Sequence, residues 1–90
     1  MAKVKFTSAL QRFFPGLEGA YFEGDSVQSI IQSIEVRYPG IQHYLLEEDG
    51  KLRRHVNIFL GNEMILDRNQ LSDPVTDSDE ILIFQALSGG

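Results

Sequence analysis

The residues best placed to take part in chemistry are the last four, Leu87-Ser88-Gly89-Gly90. A glycine pair has no side chains and a free φ, so its backbone can lie extended in a channel too narrow for other residues. Such a tail catalyses nothing. It offers an unhindered carboxylate on Gly90, held out from a folded body, for another protein's active site to reach and activate. Gly89 and Ser88 are then the residues that thread. Chain ends are often small and frayed, but this pair follows directly on the apolar run Ile81-Leu82-Ile83-Phe84-Gln85-Ala86, with no linker between.

Side-chain chemistry has less support. His43 and His55 are the only histidines, and no Ser/His/Asp grouping has recognisable motif context. The absence of cysteine excludes a disulfide framework, a thiolate metal site and a cysteine nucleophile. Any sulfur chemistry must therefore use sulfur brought from outside. Glu47-Glu48-Asp49-Gly50 sets three acids in a row, but without the alternating spacing of an EF-hand loop, and reads as a solvated turn. The expectation is no catalytic residue, no metal and no bound cofactor.

The elements that must position the tail can be read from periodicity. Lys3 to Leu10 alternates, with Val4, Phe6, Ser8 and Leu10 on one side, which predicts a half-buried strand. Pro15-Gly16 marks a turn. Leu17 to Glu23 reads as a second strand, making a hairpin with the first through a short loop. Asp25 or Ser26 caps a helix in which Val27, Ile30, Ile31, Ile34 and Tyr38 share one face. Pro39-Gly40 stops it. Ile41 to Leu46 is a short helical turn, and Lys51 to Leu60 the next strand region. Gly61-Asn62 turns the chain, Glu63 to Leu66 pairs briefly, and Asp67 to Thr76 is loop. After the acidic turn Asp77-Ser78-Asp79-Glu80, the last strand leads into the tail.

A β-β-α order followed by returning strands predicts an α+β domain of the β-grasp, ubiquitin-like kind. Its mixed sheet has four to five strands with one main helix across one face. Residues 1–86 form the domain and 87–90 a flexible tail. The first and last strands lie side by side, bringing Val4 and Phe6 to Ile81 and Ile83. One helix covers only one face, yet the last strand is apolar on both. Phe59, Leu82 and Phe84 then fall on the open face, where an apolar patch marks partner docking.

Length and charge bound the remainder. Ninety residues make one domain. The net charge of −5 argues against a nucleic-acid partner. No apolar run approaches membrane-spanning length and no signal-peptide core is present, so a cytoplasmic protein is expected.

The run Asp79-Glu80-Ile81, continued to Ala86-Leu87-Ser88-Gly89-Gly90, resembles the ending of the ThiS/MoaD-type sulfur carriers. Gly50-Lys51-Leu52-Arg53-Arg54-His55-Val56-Asn57-Ile58-Phe59 resembles the middle strand of the branch that feeds cysteine biosynthesis, and Tyr38-Pro39-Gly40-Ile41 matches the family's helix end. The resemblance covers nearly the whole chain. It departs at Gly61-Asn62, where the family usually has Asn-Gly, and at Ser78 and Ser88. The resemblance implies that a ubiquitin-activating-type adenylyltransferase uses ATP to adenylate the Gly90 carboxylate. A sulfur donor then displaces AMP to leave a thiocarboxylate, and a sulfur-accepting biosynthetic enzyme of cysteine, thiamine or molybdopterin type takes the sulfur. Two alternatives stand beside this one. A ubiquitin-like modifier would be joined through Gly90 to lysines, and a non-covalent β-grasp interaction module would leave the glycine pair incidental.

Overall fold

The computed structural model describes residues 1–85. Alternation draws Ala2–Phe6 into strand β1, with Ala2, Val4 and Phe6 buried and the two lysines exposed. The expected continuation of this strand to Leu10 does not occur, because Ser8–Phe13 is a short helix, α1. Ser8 to Arg12 contains no β-branched residue to resist helix formation. Leu10 is fully buried all the same, since one helical turn returns it to the core that an alternating strand would have reached. The first two strands are therefore not joined by a short loop. The chain passes through α1 and the Pro15-Gly16 turn before β2, which is confined to Ala20–Phe22 rather than Leu17 to Glu23. Leu17 is held in the turn instead: its N–H donates to Phe14 O, and its own carbonyl accepts from the Gln11 side chain.

Helix α2, Val27–Arg37, buries Val27, Ile30, Ile31 and Ile34. Every orphan N–H of its first turn has a partner. Val27 N–H donates to Asp73 O and Gln28 N–H to Leu71 O, at 3.0 and 2.9 Å. Ser29 N–H donates to the hydroxyl of Ser26, the N-cap, and the Ser29 hydroxyl accepts from Ser26 N–H in return. The loop from Asp67 to Thr76 thus docks on the start of α2 and buries Leu71 and Val75. Leu71 takes a φ of +58° to do so, a left-handed conformation that branched-chain residues seldom adopt.

After α2 the chain turns at Gly40, whose φ of +99° suits glycine, and enters α3, Ile41–Leu45. Glu35 holds this corner: its carboxylate accepts from Gly40 N–H at 2.8 Å and Gln42 N–H at 3.0 Å. Those bonds, Gly40's first, keep its carboxyl below the ordinary glutamate range. A depressed folded value means that the stability it contributes is present at neutral pH and lost as pH falls through the glutamate range and below. Glu35→Ala should therefore cost about 1 kcal/mol at pH 7, as a lost cap does. In urea titrations the gap between variant and native chain should close at low pH, and a gap independent of pH would refute this role.

Strand β3 is Val56–Leu60, shorter than the expected Lys51 to Leu60. Leu52 is drawn off to an isolated bridge with Leu46, and a turn at Arg53 to Val56 intervenes. Strand β4 is only Glu63–Met64, and β5 runs Glu80–Gln85. The sheet has five strands in the order β2-β1-β5-β3-β4. β1 and β5 pair in parallel at its centre, with Val4 opposite Ile81 and Phe6 opposite Ile83. This is the β-grasp arrangement, and the two central strands meet in the expected register. The helix-facing side chains of β1, β3 and β5 join those of α2 and α3 in one core.

Candidate functional site

Because paired residues point to the same side of a sheet, registers alone define its other face. Lys5 lies opposite Leu82, Leu82 opposite Phe59 and Phe59 opposite Met64. This gives one row of side chains across β1, β5, β3 and β4, turned away from α2. Phe84 stands opposite Asn57 in the next row toward the tail, and Tyr21 stands opposite Lys3 at the β2 edge. Leu82 and Phe59 are half-buried by their neighbours, while Phe84, Met64 and Tyr21 are 38%, 51% and 59% exposed. The three residues expected on the open face are therefore brought together there. Met64, Tyr21 and Lys5 belong to the same face. The one-residue alternation of Ala20, Tyr21 and Phe22 was the available signal for Tyr21; Met64 lay in a segment too short to carry one.

Polar groups rim this surface. Lys5 Nζ lies 2.7 Å from Glu80 Oε1, and that contact, first as a hydrogen bond and then as charge, lowers the Glu80 carboxyl below its ordinary range. Lys5 and Glu80, with Gly61, Asn62 and Leu82, line a shallow depression of about 310 Å³. A second hollow of about 350 Å³, lined by Gln42, His43, Leu46, Glu47, Glu48, Gly50 and Arg53, shares no residue with it. Its arginine is engaged locally, with Nε donating to His43 O and Nη1 to Glu47 Oε1.

Two acids in the loop before β5 serve the backbone. Asp67 accepts from the N–H groups of Asn69, Gln70 and Ser72 and from the Ser72 hydroxyl. The Gln70 bond first, then the hydroxyl, hold its carboxyl down to about 2. Asp73 accepts from Leu66 and Asp67 N–H. Among the described residues no group of three or more His, Asp or Glu side chains is arranged to hold a metal. His43 and His55 are both exposed and belong to no such group. No helix among the described residues is long and apolar enough to cross a membrane.

The geometry thus offers a flat apolar face with a lysine rim, and a central strand that ends at Gln85. Ala86 and the expected tail residues Ser88, Gly89 and Gly90 lie outside the described residues.

The ThiS family model matches residues 11–90. The sulfur carrier protein CysO of Mycobacterium tuberculosis is 29% identical over 89 residues, which are 97% of this chain and 96% of that protein. Small archaeal modifier protein 3 of Haloferax volcanii is 26% identical over 78 residues, 83% of this chain and 84% of that protein. Among solved structures, a chain of the BexX/CysO complex from Amycolatopsis orientalis superposes with a TM-score of 0.84 at 29% identity, covering 100% of both chains.

Proposed function

The chain belongs to the ThiS family, and from that premise we propose that it is a sulfur carrier, a substrate of other enzymes rather than a catalyst. The observation that carries this reading is the match through Gly90 together with a central strand, β5, whose described residues run to Gln85, next to the expected tail. The proposed reaction balances without a redox step. The Gly90 carboxylate attacks the α-phosphate of ATP, forming an acyl-adenylate and releasing pyrophosphate. Sulfide then attacks the carbonyl carbon. A C–S bond forms, the C–O bond to AMP breaks, and AMP departs. The thiocarboxylate hands its sulfur to a biosynthetic enzyme, of cysteine type on the likeness to CysO. ATP belongs to the activating adenylyltransferase, and the work takes place in the cytoplasm.

The test is to incubate the native chain with ATP-Mg, its activating enzyme and sulfide, and to record intact mass and AMP. Replacement of one oxygen by sulfur at Gly90 is the expected product. AMP release with no mass change would rule out the thiocarboxylate. The likeness to small archaeal modifier protein 3 favours a second reading, in which a lysine amine attacks the same adenylate. Lysine-linked adducts ending in Gly90, isolated from cells, would identify it.

In both readings the face of Phe59, Leu82 and Phe84 receives the activating enzyme. Phe84→Asp places a charge where an apolar ring would be desolvated, and central aromatic contacts often carry 2 kcal/mol or more of binding energy. The dissociation constant for that enzyme should rise about tenfold or more, with the thermal midpoint of the free chain preserved. An unchanged dissociation constant would move the docking surface elsewhere.

A further inference from the structure

The parallel ladder between β1 and β5 continues past the last residue of β1. Thr7 N–H donates to Ile83 O at 3.2 Å. By the even spacing of parallel pairing, the next rung would run from Gln85 N–H to the Thr7 carbonyl. That carbonyl is already engaged, because it accepts Gln11 N–H at 3.1 Å in the first bond of α1. The Thr7 hydroxyl takes its place and accepts Gln85 N–H at 3.3 Å. Thr7 is the N-cap of α1, yet its side chain makes no capping bond. An oxygen that would ordinarily satisfy the helix's own orphan N–H groups is turned to the strand.

Gln85 is unusual in a second way. Ile81 and Ile83 face the helices and are buried, and Gln85 continues their row. Its Oε1 is buried without a hydrogen-bond partner among the described residues, an arrangement that lowers stability relative to an apolar side chain. Both features sit at the last described residue, next to the expected tail.

We infer that Thr7 is a positioning residue whose hydroxyl holds the Gln85 amide and so fixes the end of β5 that precedes the expected tail. Its consequence for activity rests on the carrier reading above. Docking and delivery are then set by different residues. The open face determines how tightly the activating enzyme is held, and the Thr7–Gln85 bond determines how often the docked carboxylate is in line. Loss of the bond leaves Gln85 paired only with Val56 of β3 and free to shift on its β1 side. A displacement of about 1 Å at a reacting centre can cost a hundredfold.

Thr7→Val removes the hydroxyl at constant shape, and Thr7→Ser keeps it. Three measurements on the full chain decide the matter: amide exchange at Gln85, the thermal midpoint, and kcat and KM for adenylation. In Thr7→Val, exchange at Gln85 should quicken about tenfold or more. Its kcat should fall threefold or more while KM stays within about twofold. Thr7→Ser should restore both. A merely structural threonine would lower the thermal midpoint and leave kcat in place. Unaltered exchange at Gln85, or a kcat within threefold of native, overturns the inference. If the native chain is not adenylated at all, the carrier reading fails by itself, and Thr7 is then judged on Gln85 exchange alone.

Discussion

Deleting Gly90 should abolish thiocarboxylate formation without altering the fold. The deletion draws the carboxylate back by one residue, about 3.3–3.6 Å of extended chain. A misplacement of about 1 Å at a positioned centre can already cost a hundredfold, so conversion should fall at least that far and below detection in an intact-mass assay. Gly89→Val should fail for a different reason. The carboxylate stays in place, but a branched side chain restricts φ and widens the strand inside a narrow channel. The thermal midpoints of both variants should match the native chain, because extended termini contribute little to a core. Full conversion of the chain lacking Gly90 would remove the glycine pair from the mechanism and the carrier reading with it.

The second large effect concerns the body that presents the tail. Ile34→Ala should destabilise the domain by about 2–5 kcal/mol, as buried isoleucine truncations do. Ile34 is 0% exposed and Ile30 1%, at the centre of the face that α2 lays on the sheet. A domain of this size has a total stability of about 5–13 kcal/mol, and each kcal/mol shifts the midpoint by about 4–8 °C. One substitution should therefore lower the thermal midpoint by about 8–40 °C, and Ile30→Ala with Ile34→Ala should leave little folded protein. A midpoint unchanged in urea and in heat would show that α2 does not pack as described.

The parts of the fold legible in the sequence were those written in local periodicity. The α2 stripe, a cap at Asp25 or Ser26, and the meeting of Val4 with Ile81 and Phe6 with Ile83 needed only apolar spacing, cap chemistry and one topological rule. Helix α1 was not legible. Six residues are too few to display a helical period, and Leu10 happens to continue the alternation of β1. The core contributions of Leu71 and Val75 were hidden because their loop is shaped by bonds to α2, far away in sequence. The open-face trio could be placed because strand parity decides faces. Thr7 could not, since its role arises from competition between a helix and a strand for one carbonyl. Nothing in the types of neighbouring residues records that competition.

The central pairing of β1 with β5 has a consequence for the order of events in folding. Lys3 meets Glu80, so nearly the whole chain must be closed into a loop before the sheet's middle exists. Contacts of such long sequence separation slow folding, into the millisecond-to-second range for comparable topologies. Until β5 arrives, β2-β1 and β3-β4 are two separate ribbons with no shared strand, and isolated two-stranded ribbons are marginal in water. A chain emerging from the ribosome therefore lacks both the apolar open face and its core until β5 is free. On the carrier reading, recognition by an activating enzyme that reads that face would be confined to molecules that have completed folding, and the sheet would act as a built-in check on which tails are charged.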